Sequence, residues 1–307
     1  MWWQFTLAGL LVGALVGMTG MGGGSLMTPI LVILFGVNPT VAVGSDIAHG
    51  AIFKTVGAFQ HRKMGNVRAQ LAGWMLLGSA PMSLLGVWLA NWLQDTYGDG
   101  VESTMGRVLG GALLFGCVGL LAKSFIHAKP VGDDEFALTN RDRMAAVLIG
   151  LFGGFVVGLT SVGSGVFFGL TLLVVFPLRA HKVVGTDIFH AAALLYVAGI
   201  GHWVAGNVDM HIVGWLLLGS IPGVLVGGRL SLSIPDNLLR FALATVLGLS
   251  GLKLIDVPGT SVAIVVVLGI GMTALLVYIG RRSWVRYSRR SGGGERAVEP
   301  TVGTEAA

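Results

Sequence analysis

The stretch Gly17-Met-Thr-Gly-Met-Gly-Gly-Gly-Ser25 interrupts an apolar run that extends from Phe5 to Phe35. A glycine inside a helix costs roughly 1 kcal/mol against alanine, so this cluster predicts a break rather than a helix interior. In hydrocarbon, a break exposed to lipid leaves backbone N–H and C=O groups without partners. The interruption is therefore expected to be buried in protein or to line a polar cavity. A twin, Gly158-Leu-Thr-Ser-Val-Gly-Ser-Gly-Val166, interrupts another apolar run further along the chain.

The surroundings of the two breaks fix the class. The 307 residues are 54% hydrophobic and 11% charged. So few polar residues cannot cover the surface of a soluble protein of this length. Several apolar runs approach the ~20 residues needed to cross a bilayer. The fold class is thus all-α polytopic membrane protein. The 49 glycines suit close helix packing through small residues. The opening Met-Trp-Trp-Gln lacks the basic region of a signal peptide and reads as a mature start. A single cysteine, Cys117, excludes an internal disulfide and any cysteine metal cluster. The net charge of +5 comes mostly from a basic C-terminal tail. That suits the surface of a lipid bilayer, and no nucleic-acid partner is expected.

The chain is an internal duplication. Gly17 matches Gly158, an offset of 141 positions, and the offset holds without a gap to Gly86 and Gly227. It pairs Thr19 with Thr160, Asp46 with Asp187, His49 with His190, His61 with His202 and Asn66 with Asn207. Trp74 with Trp215 and Pro81 with Pro222 continue it. Low-complexity hydrophobic sequence does not place Asp, His, Asn, Trp and Pro in one register. Each repeat reads as a broken pair of short segments followed by three longer ones. Residues 1–127 form the first transmembrane repeat, 128–143 a cytoplasmic connection and 144–255 the second repeat. An extra transmembrane helix at 256–280 and a basic, disordered cytoplasmic tail at 281–307 complete the chain.

Lys and Arg counts orient the repeats, because they accumulate on the cytoplasmic side. Arg281, Arg282, Arg286, Arg289 and Arg290 place the C-terminus in the cytoplasm. If each broken pair crosses the membrane once, the repeats are parallel. The basic loop around Arg62, Lys63 and Arg68 and the 128–143 connection then face outside. If each pair returns to its starting side, the repeats are inverted. Of the 20 basic residues, only Arg107 and Lys253 then lie near the outside, with Lys54 inside a span. The count favours inverted repeats, each broken pair being a re-entrant hairpin or two short crossings. The location is the plasma (inner) membrane, multi-pass.

In the inverted arrangement the two breaks point into the protein from opposite sides. Each is followed by a helix start, with unpaired N–H groups and partial positive charge, so together they form an anion site. Inverted repeats with discontinuous helices hold substrates this way in secondary transporters. The substrate-binding candidates are Thr19, Gly22, Gly23, Gly24 and Ser25, with Thr160, Ser161, Gly163, Ser164 and Gly165. Glycines that merely let helices pack closely are the blander reading. The other duplicated feature is Asp-x-x-His: Asp46 with His49, and Asp187 with His190. Residues three apart share a helix face. Intramembrane carboxylates and imidazoles suit a proton relay, so these four are the proton-coupling candidates. A structural Asp–His hydrogen bond between neighbouring helices is the alternative. Lys54 has no counterpart, since Leu195 stands in the second repeat. It would snorkel, pair with Asp46 or break the symmetry of an anion path. No metal and no other cofactor is expected.

The pattern Gly22-Gly-Gly-Ser-Leu-Met-Thr-Pro29, then Ala42-Val-Gly-Ser-Asp46, Gly65-Asn-Val67 and Leu77-Gly-Ser-Ala-Pro81 resembles the sulfite exporter TauE/SafE family of membrane permeases. Both repeats carry it, over residues ~5–280. The resemblance implies secondary transport of anions, commonly sulfite or organosulfonates such as sulfoacetate. Two departures are visible. The commoner Gly-Thr-Ser is here Gly44-Ser-Asp46 and Gly185-Thr-Asp187, and Leu170 replaces the proline matching Pro29. The function expected is a proton- or ion-coupled transporter of a small sulfur-containing anion. A transporter of a different small anion, and a membrane-embedded metal-dependent enzyme using the Asp–His pairs, are the alternatives.

Overall fold

The structure is a computed structural model that describes residues 2–19, 24–97, 101–125, 138–230, 236–264 and 266. The helices in order are α1 (Trp3–Thr19), α2 (Gly24–Phe35), α3 (Pro39–Lys63), α4 (Ala69–Tyr97), α5 (Val101–Phe125), α6 (Asn140–Thr160), α7 (Phe167–Val175), α8 (Ala180–Val204), α9 (Met210–Leu230) and α10 (Asp236–Leu254). No strand occurs among the described residues. Both expected broken pairs are present as α1/α2 and α6/α7. Among the described residues, four helices are long and apolar enough to cross a membrane: α4, α5, α6 and α8. Exposed apolar side chains such as Phe152, Leu148, Phe115 and Leu218 suit a surface solvated by lipid.

Local chemistry sets the helix ends. Asn38 accepts from the Thr40 amide at 2.9 Å and Pro39 opens α3, a preorganised start. Thr139 and Asp142 form a capping box. It starts α6 at Asn140, earlier than the boundary near 144 that hydropathy gives. Helices α3 and α8 end alike. Gly65 (φ +70°) and Gly206 (φ +79°) take the left-handed conformation. Asn66 N donates to His61 O and Asn207 N to His202 O, both at 2.9 Å. This is the Schellman ending, and it explains the duplicated Gly-Asn.

The two halves interlock. The closest helix partnerships are α1 with α9, α4 with α6 and α3 with α8, each joining the first half to the second. The turn after α3 seats on the start of α8: Arg68 N donates to Thr186 Oγ1 at 3.0 Å, and Lys182 Nζ to Gly65 O at 2.6 Å. The turn after α8 seats on the start of α3 in the same way, Asp209 N donating to Ser45 Oγ at 3.0 Å. Helices α3 and α8 therefore run in opposite directions. These contacts repeat at the offset of 141 that relates Ser45 to Thr186 and Arg68 to Asp209.

The α1–α9 and α4–α6 partnerships depend on glycine at backbone contact. A methyl group at Gly13 would lie 2.7 Å from Ser220 Cα, and one at Gly154 would collide with the Ser79 backbone. Small residues permit this approach, which brings α9 and α4 against the broken pairs. The core then falls into two main clusters. One forms around Met27, Leu31, Leu113 and Leu216, the other around Ile47, Met75, Phe168 and Leu194.

Residues Met1–Val257 form one compact unit, and Pro258–Ala307 are a separate one. In the latter, helical residues begin at Thr260. Most of the extra helix expected at 256–280, most of the 128–143 connection and all of the 281–307 tail lie outside the described residues.

Replacing Gly154 by valine is expected to destabilise the protein by about 1–3 kcal/mol through overpacking against α4. Gly214, where an added methyl meets open space, tolerates alanine with no loss. Thermal unfolding in detergent measures both, and equal effects would remove the close-packing account.

Candidate functional site

The second break is a buried turn. Helix α6 ends at Thr160, and Ser161 caps it in the left-handed region at φ 60°, with Ser161 N donating to Val157 O at 2.8 Å. Gly163 (φ +121°) and Gly165 (φ +111°) carry the chain through a conformation that a side chain would strain. Helix α7 opens at Phe167, one turn further on. Residues 161–166 are all buried, as the rule against lipid-exposed breaks requires.

Helix α3 lays charged groups along this turn. The Asp46 carboxylate, 1% exposed, accepts from Ser161 Oγ at 2.9 Å and from Thr28 Oγ1 of α2 at 2.5 Å, both on Oδ2. Two turns along α3, Lys54 is 3% exposed and its Nζ donates to Ser164 Oγ at 2.7 Å. Asp46 and Asp187 both act on the Lys54 ammonium electrostatically. Asp187 is buried on α8. Buried charges are costly unless paired and hydrogen-bonded. Here an ammonium and two carboxylates share one neighbourhood, and hydroxyls from α2 and the turn bond Asp46 and Lys54.

The histidines take a different partner from the one their spacing suggests. His49 Nε2 shares a 2.9 Å hydrogen bond with Ser220 Oγ, and His190 Nε2 shares one of 2.9 Å with Ser79 Oγ. These two bonds match at the duplication offset. Each serine lies two residues before the proline inside its helix, Pro222 in α9 or Pro81 in α4. The Nδ1 atoms of His49 and His190 are buried with no hydrogen-bond partner among the described residues. Phe53 stacks on His49, and Phe168 meets His190 edge-on with centroids 4.5 Å apart. His202, in the last turn of α8, is fully buried and bonds Gly158 O at 2.8 Å, at the last turn of α6.

Of the residues expected around the breaks, Ser161, Ser164, Gly163 and Gly165 lie in the buried turn beside Asp46 and Lys54. Thr160 turns its hydroxyl back onto its own helix, donating to Val156 O at 2.7 Å. Thr19 closes α1 and Gly24 and Ser25 open α2. Gly22 and Gly23, and the side chains of Thr19 and Ser25, lie outside the described residues. Sequence reasoning left Thr28, Lys54, Ser79 and Ser220 out of the site. A lone lysine in an apolar span and the duplicated Gly-Ser before proline were the available signals. Among the described residues no group of His, Cys, Asp and Glu is arranged to hold a metal.

The sequence pattern of the family described as "Sulfite exporter TauE/SafE" matches residues 5–254. The chain belongs to that family. It is similar to "Probable membrane transporter protein YjnA" of Bacillus subtilis (strain 168), 39% identical over 251 residues, covering 81% of this chain and 98% of that protein. "Probable membrane transporter protein YdhB" of the same organism is 25% identical over 246 residues, covering 80% and 96%. "Probable membrane transporter protein MJ0441" of Methanocaldococcus jannaschii is 25% identical over 263 residues, covering 80% and 92%. No solved structure matches. The TauE/SafE family comprises membrane transporters, so this chain is a membrane transporter and the metal-enzyme alternative falls.

Proposed function

We propose that the protein is a secondary transporter that moves a small sulfur-containing anion across the plasma membrane, driven by a proton or ion gradient. The observation that carries this reading is the buried turn at Ser161–Val166, with Lys54 bonded to Ser164 and Asp46 to Ser161. A broken helix with hydroxyls and a cation inside a membrane protein is the chemistry an anion needs to leave water. The name of the family, a sulfite exporter, supports sulfite, organosulfonates or similar oxyanions as the class.

In this reading the repeats are inverted. The opposed directions of α3 and α8 and the exchanged contacts at the 141 offset support it. So does the Lys and Arg distribution, which puts the C-terminus in the cytoplasm. The first break, at Thr19–Ser25, supplies the other side of the anion site. Its matching residues and the opening of α2 at Gly24 are the support. Asp46, His49, Asp187 and His190 handle protons. The serine partners of the two histidines sit beside Pro81 and Pro222, where helix hydrogen bonding is already interrupted, so a change at a histidine is felt at a flexible point.

The test of cargo is uptake by proteoliposomes offered sulfite, thiosulfate, sulfoacetate, sulfolactate and non-sulfur anions. Saturable uptake of a sulfur oxyanion, raised by a pH gradient, is expected; uptake of none of them overturns the reading. Sidedness is tested separately with a cysteine at Met64, an exposed residue in the turn after α3, in a chain whose Cys117 is serine. A membrane-impermeant thiol reagent should label it only after cells are opened. Labelling of intact cells would overturn the inverted arrangement.

A further inference from the structure

The buried charges are not shared equally between the two halves. Asp46 and Asp187 match at the duplication offset, but the position matching Lys54 holds Leu195, and both of those side chains are buried. The neighbourhood therefore holds two carboxylates and one ammonium. An anion entering it alone would compete with both carboxylates for a single cation in a low-dielectric place. Desolvated like charges exclude one another unless one of them is neutralised. Lys54 meets the turn through Ser164, as Asp46 does through Ser161, and it is the cation of the three.

We infer that Lys54 anchors the transported anion, and that Asp46 and Asp187 surrender the lysine to it by taking up protons. The inference rests on the transport reading above and names the residue that decides anion binding and the step that couples it to protons. In that step a proton from water bonds to a carboxylate oxygen of Asp46 or Asp187 and cancels its charge. The Lys54 ammonium keeps its own protons. The anion then pairs with Lys54 Nζ and the Ser164 hydroxyl, so anion and proton are loaded together. On release the anion leaves to water, the carboxylic O–H gives its proton to water, and the carboxylate recovers the ammonium. Nothing is oxidised or reduced.

Every titratable group acting on Lys54 among the described residues enters this account. They are Asp46 and His49 from α3, and Asp187 and His190 from α8. The elements packed around them contribute hydroxyls rather than charges: Thr28 from α2, Ser79 from α4, Ser220 from α9 and Ser164 from the turn. The histidines are held by those serines, which leaves the carboxylates as the groups that exchange charge with the lysine. The ligand class is a small oxyanion, whose oxygen atoms accept from an ammonium and a hydroxyl at once.

The test is binding of thiosulfate and of sulfoacetate to the full chain in lipid nanodiscs, in weak buffer, at about pH 6 and about pH 8. The wild type should bind more tightly at the lower pH and take up protons on binding. Lys54→Gln should weaken binding by about tenfold to a hundredfold, the worth of a charge-assisted hydrogen bond. Lys54→Arg, which keeps the charge, should retain most of it. In Asp46→Asn/Asp187→Asn, binding should persist at the higher pH and proton uptake should fall. Binding by Lys54→Gln equal to the wild type would overturn the inference, as would undiminished proton uptake by the double variant, while leaving anion transport by the wild type in place. If Lys54→Gln does not yield a monodisperse protein, Lys54→Arg and the double variant decide by the same two criteria. Absence of both wild-type binding and wild-type transport of every anion offered would instead sink the transport reading, and this inference with it.

Discussion

A helix that stops inside a membrane leaves polar backbone ends, and hydrocarbon offers them nothing. That constraint organises the rest of this structure. The turn from Ser161 to Val166 is buried on all sides, and the neighbours that bury it come from both halves of the chain. Helix α4 closes on α6 through glycines at backbone contact, His202 of α8 satisfies the Gly158 carbonyl, and α3 supplies Asp46 and Lys54 to the two turn serines. A break that requires this much protein around it also gathers hydroxyls, a carboxylate and an ammonium at the turn. Burial of the turn and the gathering of polar groups around it are thus consequences of one requirement.

The charges follow the same logic. Asp46 is buried because two hydroxyls bond it and an ammonium lies within electrostatic reach. Lys54 is buried because Ser164 and two carboxylates compensate it. No group of this set is independent, so a change in the charge of one alters what the others can hold. Membership of the TauE/SafE family places this chain among membrane transporters.

Much of this was legible in the sequence, for identifiable reasons. Glycine clusters inside apolar runs announce breaks because the backbone cost of glycine is local. The duplication was legible because Asp, His, Asn, Trp and Pro recur in one register, and the contacts at Ser45, Thr186, Arg68 and Asp209 recur in that register too. The start of α6 was missed because hydropathy marks where apolar residues begin, whereas the Thr139–Asp142 capping box starts the helix in polar sequence. Partners were the least legible. Spacing of three places Asp46 and His49 on one face, but it cannot say that Asp46 bonds Thr28 and Ser161 while His49 bonds Ser220, 171 positions away. Lys54 was visible as an asymmetry, and only its distance to Ser164 turns that asymmetry into a role.

The central claim is that the anion occupies the space where Lys54 meets the 161–166 turn. A cryo-electron microscopy structure of the full chain in nanodiscs with thiosulfate, at the lower of the two pH values, addresses it directly. The account predicts density for the anion within hydrogen-bonding distance of Lys54 Nζ and Ser164 Oγ, with Thr28 and Asp46 adjacent. An anion held elsewhere in the protein, with the Lys54–Ser164 hydrogen bond unchanged at 2.7 Å, would contradict it.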